Sequence, residues 1–568
     1  MNAAMTLDDA VHHVTTTNPT FAIEPALING VEFKVFKNVP TNLRQLLQAS
    51  RAQHGDGSLE YLVYEDERWT YDAFCNDVKA VAKSLQALGV VKGDRIAIAM
   101  RNYPELLVAT LATASLGAVT VLLNAWWTSE ELDYALTDST PKLVFADGPR
   151  AERLRACPSL QNSQIIGVRD GVQHSEKAYE NILRNGADAD WPETEISPDD
   201  DFAIMYSSGT TGHPKGVVQT HRGAINAVFS WLLQAVIAPL MNPPDPGAPE
   251  PQRPSALVVT PLFHVTATHP LFLLSLPAGA KLALMHKWDA EAAVRLIRDE
   301  HISRFLGVPT QSADLMEAAR RMGETLPTLD YLGAGGAKRP AAQVEELAKV
   351  FPNADVATGW GMTETNALGI GMLGDDYIKQ PGAAGRLHPP LQEVRFLDED
   401  GRDVTVGDIG ELTVKSPANM RCYLNKPEAT AEVLQDGWLR TGDLGFIDEE
   451  GVITIVDRRK NIIIRGGENI ACLDVEGALH RHPAVAEACA FSVPDDRLGE
   501  IVGAGVQLRA GHEASADDLR AYLADHIAKF KIPEHLWLQA DPLPRGATDK
   551  IDRRALREAC LATLAPVA

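Results

Sequence analysis

Residues 206–216 read Tyr-Ser-Ser-Gly-Thr-Thr-Gly-His-Pro-Lys-Gly. This stretch contains four aliphatic hydroxyl groups, three glycines and one lysine. Hydroxyl and backbone N–H groups donate hydrogen bonds to phosphate oxygens, glycine lets the backbone approach closely, and lysine adds a positive charge. The stretch is not a Walker A loop, because Lys215 is followed by Gly216 instead of Ser or Thr. It therefore predicts a phosphate-binding loop of another kind.

The bulk properties of the chain limit its class and its partners. It has 568 residues, more than one hydrophobic core normally takes, so we expect two or more domains. The net charge of −23 argues against nucleic acid and anionic membranes as partners, and it requires local cations at any anion site. The six cysteines show no CxxC spacing, which predicts reduced thiols in a cytoplasmic protein.

One segment, from Leu106 to Leu123, is long and apolar enough to suggest a membrane span. Gly117 divides it into a helix-like half and a β-branched half, so we predict a buried helix followed by a buried strand. The first fourteen residues include Asp8 and Asp9 and lack a long apolar run, so they do not resemble a secretory signal. We expect no integral membrane protein, and a membrane transporter is the weakest alternative.

Strand-like apolar runs alternate with helical patterns from about residue 59 to residue 445. Arg95 to Ala99 and Leu143 to Ala146 are predicted strands, and Ala290 to Glu300 is a predicted helix. Alternation of this type favours α/β layers with largely parallel sheets.

The pattern changes near residue 445 and predicts a small α+β domain beyond it. Val452 to Val456 and Ile462 to Ile464 are predicted to form a short hairpin. Ser515 is the predicted N-cap of a helix that would run to Lys529. The domain boundary is placed at the basic cluster that starts at Arg458.

Five further polar, glycine-rich segments follow along the chain: Gly333 to Ala337, Gly359 to Thr365, Thr441 to Asp443, Arg458 to Ile470 and Pro544 to Ile551. Any one of them alone would be an ordinary turn. Together with residues 206–216, and in this order, they resemble the adenylate-forming superfamily, which includes acyl-CoA synthetases, luciferases and peptide-synthetase adenylation domains. The resemblance extends from about residue 40 to about residue 555.

The resemblance implies a fold and a reaction. The fold class is α/β, with a large N-terminal domain of layered α/β sheets at residues 1–457 and a small mobile α+β lid domain at residues 458–568. A carboxylate would attack the α-phosphate of ATP and release pyrophosphate, and a thiol would then displace AMP. Because the first step gathers negative charge around three phosphates, preorganised donors and cations should dominate catalysis. The implied cofactors are ATP, Mg²⁺ and CoA.

The resemblance also implies roles around the nucleotide. Glu364 would hold Mg²⁺ together with phosphate oxygens, as suits a hard cation, and Thr363 would contact the α-phosphate. Trp360 would present its ring to adenine, where the family more often has tyrosine. The β- and γ-phosphates would be held by Ser207, Ser208, Gly209, Thr210, Thr211, Gly212 and Lys215. Gly335, Gly336 and Ala337 would pass close to the adenine and the acyl group. The nucleotide site would also include Gly359, Gly361 and Met362.

Further implied roles concern the ribose and the lid. Asp443 would accept both ribose hydroxyls, and Arg458 would reach the ribose from the domain junction. Lys550 would be the main catalytic cation, although Asp549 stands where the family usually has glycine. Lys460 would be the hinge of the lid. The pantetheine passage of the second step would be lined by Gly466, Gly467 and Glu468.

The acid and the thiol are predicted only by class. Pro261 to His264 resembles the segment that borders the acyl pocket, where His264 would be either a gate near the substrate carboxylate or a core histidine. The mostly apolar stretch Val265 to Leu276 favours an uncharged acyl or aryl tail. Only eighteen residues follow Lys550, too few for a fused carrier domain, so free CoA is the expected thiol.

We therefore predict an ATP- and Mg²⁺-dependent acyl-CoA synthetase acting on a medium- to long-chain or aryl-substituted carboxylic acid. Transfer of the acyl group to a separate carrier protein is the main alternative within the enzyme class, and oxygenation of the adenylate as in luciferase is a remote one. A non-catalytic nucleotide-binding protein of the same fold is the alternative outside it. The sequence leaves open whether the protein is a monomer or a homodimer.

Overall fold

The computed structural model describes residues 4–54, 57–187, 190–207, 214–244, 247, 251–466, 468–546 and 550–564. Within these ranges the strands form five sheets. Two large sheets build most of the N-terminal part, a five-stranded sheet follows them, and a second five-stranded sheet builds the C-terminal part. The predicted α/β class, with a larger N-terminal and a smaller C-terminal part, is confirmed.

The two large sheets each have a mainly parallel centre, with one antiparallel edge in the first sheet and two in the second. The first contains, in spatial order, Cys422–Tyr423, Lys215–Thr220, Asp201–Ser207, Val119–Leu122, Arg95–Ala99, Leu143–Ala146, Gln164–Gly167 and Lys177–Ala178. The second contains Arg386–Leu387, Ile370–Leu373, Asp355–Trp360, Tyr331–Ala334, Arg304–Gly307, Ser255–Val258, Lys281–Leu284, Glu60–Tyr64 and Glu67–Thr70. The carboxyl ends of parallel strands in such sheets are where ligands bind.

Helices cover both large sheets. The α-helices of this part are Leu7–Thr17, Leu43–Gln53, Tyr71–Ala87, Pro104–Ser115, Ser129–Ser139, Gly148–Arg155, Tyr179–Asn185, His221–Met241, Val265–Ala267, Leu274–Ala278, Ala290–Asp299, Pro309–Met322, Ala341–Val350, Gly374–Lys379 and Pro427–Val433. The largest buried apolar cluster takes side chains from both sheets, for example Ile98 and Leu282, and from the helices Tyr71–Ala87 and Pro104–Ser115. The sheets therefore share one core.

The segment from Leu106 to Leu123 folds as predicted, with the helix Pro104–Ser115 and the strand Val119–Leu122 both buried. Among the described residues, one helix is long and apolar enough to cross a membrane, and it is a different one, His221–Met241. Half of its most apolar window is buried inside the protein, as in the core helix of a globular domain.

The predicted hairpin between Val452 and Ile464 is wrong. The strand Ile453–Arg458 pairs with Trp438–Ile447 in one sheet, whereas Ile462–Arg465 pairs with Glu468–Ala471 in another. The residues between them form a short 3₁₀ turn, Arg459–Asn461, and not a hairpin loop. Both strands are apolar and adjacent in sequence, so local pattern cannot reveal that each finds its partner elsewhere.

The two five-stranded sheets meet at this turn. The first contains Glu393–Leu397, Gly410–Lys415, Trp438–Ile447, Leu434–Gln435 and Ile453–Arg458. The C-terminal sheet contains Glu468–Ala471, Ile462–Arg465, Gly499–Leu508, Val485–Asp495 and His535–Gln539, with the helices Cys472–His480, Ala516–Ala524 and Arg553–Ala562. Ser515 caps its helix as predicted, but that helix ends at Ala524 and not at Lys529.

Candidate active site

Glu364 lies at the centre of the site and is 5% exposed. Its Oε1 accepts hydrogen bonds from Ser207 Oγ at 3.0 Å and from the Tyr423 hydroxyl at 2.9 Å. Ser207 ends a strand of the first large sheet, whereas Glu364 lies in the 3₁₀ turn Thr363–Thr365 that follows a strand of the second. The two sheets thus bring together two motifs that are separated by about 150 residues.

The surroundings of Glu364 suit Mg²⁺. Its Oε2 lies outside both hydrogen bonds, so a hard cation can share this carboxylate with phosphate oxygens. No cluster of three or more His, Cys, Asp or Glu side chains is found in the described part of the chain. The chemistry fits a cation that is bound with the nucleotide and not held in a cage of protein ligands.

Tyr423 connects Glu364 to the phosphate-loop lysine. Lys215 Nζ lies 4.7 Å from the centroid of the Tyr423 ring, a cation–π distance. Burial and the neighbouring Glu364 carboxylate raise the pKa of Tyr423, so the hydroxyl stays protonated and donates. Sequence reasoning missed Tyr423, because no motif surrounds it and only the pairing of Val217 with Tyr423 brings it to the site.

The rest of the predicted phosphate loop lies outside the described residues. This applies to Ser208, Gly209, Thr210, Thr211 and Gly212. Thr363 is buried, and its carbonyl accepts a hydrogen bond from Gln219 Nε2 at 2.8 Å. Gln219 is a second residue that the sequence analysis missed, and it fixes the turn from the side of the phosphate loop.

Asp443 forms the corner predicted for the ribose. It is 4% exposed, and its two carboxylate oxygens accept hydrogen bonds from Trp360 Nε1 at 2.7 Å and Arg458 Nε at 3.1 Å. Asp443 and Arg458 are directly paired on neighbouring antiparallel strands, which explains their contact. Trp360 therefore orients the carboxylate with its N–H group, a function that the prediction of a ring against adenine had not included.

Lys550 reaches from the C-terminal part into this site. A Cβ atom added to Gly336 would lie 2.7 Å from Lys550 Cε and 2.8 Å from its Nζ. The Gly336 backbone has a φ of +78°, which favours glycine at this position for a second reason. The ammonium therefore lies directly over the glycine loop, so the C-terminal part is closed over the site.

Burial lowers the pKa values of both Lys550 and His264. Burial, and then the positive charge of Arg458, lower the pKa of Lys550 to about 8. Burial, and then the charge of Lys550, lower the pKa of His264 to about 3, so this imidazole is neutral. The electrostatic influence of Lys550 on His264 places both groups in one centre.

Small residues form the floor next to His264. A Cβ on Gly335 would contact Thr266 Cγ2 at 3.7 Å, whereas a Cβ on Gly359 would meet only a carbonyl oxygen at 3.7 Å. Gly359 pairs with Gly371 on the next strand, and a Cβ on Gly371 would lie 3.0 Å from the His388 ring. The backbone at these three glycines is thus closely covered by its neighbours, and the His388 ring fills the space beside Gly371.

Three other predicted residues have mainly structural contacts. A Cβ on Gly361 would lie 2.1 Å from the Ala367 carbonyl oxygen, so this glycine permits a tight backbone contact. Met362 is half-buried and packs in the apolar cluster of Tyr423. Ala337 is exposed beside Gly336.

Among the residues predicted for the second step, Lys460 lies close to Arg458 and Asp443, whereas Glu468 begins a strand of the C-terminal sheet. Lys460 is exposed within the 3₁₀ turn Arg459–Asn461, between the two five-stranded sheets. Gly466 and Glu468 lie at the exposed tip of a hairpin, where the Gly466 N–H donates to the Leu498 carbonyl at 2.8 Å. Gly467 lies outside the described residues. The described contacts of this tip stay within the C-terminal sheet.

The geometry agrees with comparisons with known proteins. The AMP-binding enzyme family matches residues 47–424, and its C-terminal domain matches residues 474–550. A long-chain-fatty-acid–CoA ligase of Mycobacterium tuberculosis is 33% identical over 88% of this chain and 94% of its own length. A feruloyl-CoA synthase of Amycolatopsis is 33% identical over 86% of this chain and 93% of its own length.

A solved structure leads to the same family. The o-succinylbenzoate CoA synthetase of Bacillus subtilis, in complex with an acyl-adenylate intermediate, is 29% identical. It superposes with a TM-score of 0.76 over 90% of this chain and 97% of that chain. On both the sequence and the structural evidence, the chain belongs to the AMP-binding enzyme family.

Proposed function

We propose that this protein converts a carboxylic acid, ATP and CoA into acyl-CoA, AMP and pyrophosphate through an acyl-adenylate. The chain is an acyl-CoA synthetase, an acid–thiol ligase, as its CoA-ligase relatives are. The observation that carries the proposal for its site is the convergence of Lys550 on Gly336 and His264, within the same site as Glu364 and Asp443.

The first half-reaction uses the closed arrangement. A carboxylate oxygen of the acid forms a bond to the α-phosphorus of ATP, and the bond to pyrophosphate breaks. Lys550 lies where its ammonium can hold a carboxylate and an α-phosphate oxygen together, and a charge in a closed site stabilises developing charge more strongly than one in water. Asp443 would hold the ribose, and Glu364 would be the protein ligand for Mg²⁺, which would offset the charge of the phosphates.

The second half-reaction needs a different arrangement. The sulfur of CoA bonds to the acyl carbon, and the bond to AMP breaks. We infer that residues 458–568 act as a lid that rotates at Lys460, withdraws Lys550 and brings the hairpin tip with Gly466, Gly467 and Glu468 to the thiol path. The junction supports this, since Lys460 lies in a short exposed turn that joins two separate sheets.

The acid is a medium- to long-chain fatty acid or an aryl-substituted acid. The helical stretch Val265–Ala278, which directly follows His264, is apolar, and an apolar lining suits an uncharged acyl or aryl tail. A relative acts on long-chain fatty acids and another is a feruloyl-CoA synthase, which supports both classes. A cytoplasmic location and a homodimer remain predictions.

A pyrophosphate-release screen over acids of graded chain length and ring content, with CoA present, tests the proposal. We expect release with a subset of acids, and mass spectrometry of the same reactions should show the matching CoA thioester. Pyrophosphate release without any CoA thioester would mean that the acyl group passes to an acceptor other than CoA. Absence of release with every acid would contradict the proposed function.

A further inference from the structure

His269 is a fully buried histidine in the helical segment that follows His264, the residue expected to border the acyl pocket. His269 is in the π-helix Thr268–Leu273, one turn after His264, and is 0% exposed. The preceding residue fastens this element to the gate, since Thr268 Oγ1 donates to the Leu262 carbonyl at 2.6 Å and lies 3.1 Å from the His264 carbonyl oxygen. π-Helical turns inside helices often occur at functional sites.

The hydrogen-bond partner of His269 is Asn366, which lies two residues after Glu364 in the chain. Asn366 directly follows the turn that holds Thr363 and Glu364, is 0% exposed and has a φ of +51°. His269 Nε2 and Asn366 Oδ1 are 2.9 Å apart, and Asn366 Nδ2 donates to the Ala418 carbonyl at 2.7 Å. Because the amide oxygen can only accept, His269 Nε2 carries the proton and donates.

Asn366 also packs against a helix of the N-terminal part. A Cβ on Gly223, in the helix His221–Met241, would come within 2.9 Å of Asn366 Nδ2. Close to Ala418, the Met420 N–H donates to the Glu364 carbonyl at 2.7 Å. Asn366 therefore fixes the backbone that carries the Glu364 carboxylate.

The imidazole is suited to a fixed role. Burial lowers the pKa of His269 to about 4, so the ring is neutral at physiological pH and keeps one tautomer. Its Nδ1 has no hydrogen-bond partner among the described residues. The protein thus keeps a buried polar ring for one hydrogen bond, which an apolar side chain of similar size could not make.

We propose that His269 and Asn366 form a positioning pair that fixes the turn of Thr363 and Glu364 relative to the acid gate at His264. The inference rests on the proposed function. Both side chains are 0% exposed, so the pair acts through the segments that carry Glu364 and His264. It sets the distance between the site of the carboxylate and the site of the α-phosphate, and small misplacements of reacting groups cost large factors in rate.

Two variants of nearly equal shape test this pair. His269→Gln keeps an N–H donor for Asn366, whereas His269→Met fills the same space without a donor. The measurements are pyrophosphate release at saturating acid and ATP, Kd for ATP with Mg²⁺ by calorimetry, thioester formation from supplied acyl-adenylate and CoA, and the thermal unfolding midpoint.

We expect His269→Met to lower kcat for pyrophosphate release by about 10- to 100-fold, while Kd for ATP and the thioester step change by less than about threefold. His269→Gln should stay within about threefold of the wild type in every assay. If His269→Met does not fold, Asn366→Gly keeps the positive φ without the amide and should show the same selective loss.

Three results would overturn the inference. Equal kcat in the Met variant and the wild type would remove any positioning role. Parallel losses in both half-reactions, ATP binding and unfolding midpoint would make the pair merely structural. Equal damage by Gln and Met would show that the donor is irrelevant. If the wild type releases no pyrophosphate with any acid, both the proposed function and this role are contradicted. If it releases pyrophosphate without forming a thioester, the adenylation rates of the variants can still be compared.

Discussion

Lys550 is the residue proposed to act most directly in the first step. Its ammonium, carried by the C-terminal part, lies over the glycine loop at Gly336. We expect Lys550→Ala to slow adenylation by about 10²- to 10³-fold, the usual cost of one lost transition-state contact. Thioester formation from supplied acyl-adenylate should survive, since that step uses the rotated lid. Stopped assays of each half-reaction check this, and equal damage to both would contradict it.

The lowered pKa of Lys550 predicts a pH dependence with a definite sign. With a pKa of about 8, the ammonium is present below pH 8 and is lost as the pH rises above it. We therefore expect kcat/KM for adenylation to fall about tenfold per pH unit above pH 8.

The matched variant for this profile is Lys550→Arg, whose guanidinium stays charged throughout the range. Its alkaline decline should disappear, even if its absolute rate is lower. His264, with a pKa of about 3, remains neutral over the whole range and cannot produce the decline. An unchanged profile in the Arg variant would assign the decline to another group.

Tyr423 contacts both Glu364, the carboxylate proposed to bind Mg²⁺, and Lys215 of the predicted phosphate loop. Tyr423→Phe keeps the ring beneath Lys215 and removes only the hydroxyl that donates to Glu364. Loss of one charge-assisted hydrogen bond predicts an increase of about 10-fold in KM for ATP with Mg²⁺. Tyr377→Phe, a buried tyrosine outside this centre, is the control. Similar KM values for the two variants would contradict this role of the Tyr423 hydroxyl.

At the scale of elements, the turn Arg459–Asn461 is the predicted hinge. Lys460→Pro fixes φ at this position and should restrict lid rotation, so the thioester step should slow more than adenylation. Lys460→Ala removes the same side chain without restricting the backbone and should leave the ratio of the two rates unchanged. The rates of both half-reactions, measured in both variants, test whether this turn is the hinge. Intact CoA transfer in the Pro variant would disprove the hinge at this residue.

The elements also show what sequence could and could not predict. Arg95–Ala99 and Leu143–Ala146 were predicted with correct bounds, because short β-branched or apolar runs in parallel sheets are buried on both faces. The hairpin at residues 452–464 was wrong, because strand partners are chosen by tertiary contacts. The motif glycines and Lys550 were assigned by the resemblance to a known family, whereas Tyr423 and Gln219 reach the site through tertiary contacts that no local pattern encodes.

At the scale of the whole molecule, the C-terminal part places the end of Lys550 over bare backbone at Gly336. A side chain at Gly336 would meet Lys550 Cε and Nζ and push this flexible end aside. Gly336→Ala should therefore displace the ammonium and lower the adenylation rate by about 10-fold, with a further cost from the positive φ. Gly382→Ala, where an added Cβ would meet nothing within 4 Å, is the control.

The readout for Gly336→Ala is the ratio of the two half-reactions together with small-angle scattering in the presence of ATP. We expect an unchanged compact shape, slower adenylation and a spared thioester step. A compact variant with normal adenylation would mean that the lysine and the loop can adapt to the extra methyl group.

The contact between Trp360 and Asp443 gives the protein an optical reporter of its own. The indole N–H is bonded to the carboxylate that we expect to receive the ribose, so arrival of a nucleotide must alter the polarity around that ring. The emission spectrum of the wild type minus that of Trp360→Phe would isolate this signal from the other eight tryptophans. Nucleotide occupancy could then be followed in real time, without a label and before any bond is made or broken.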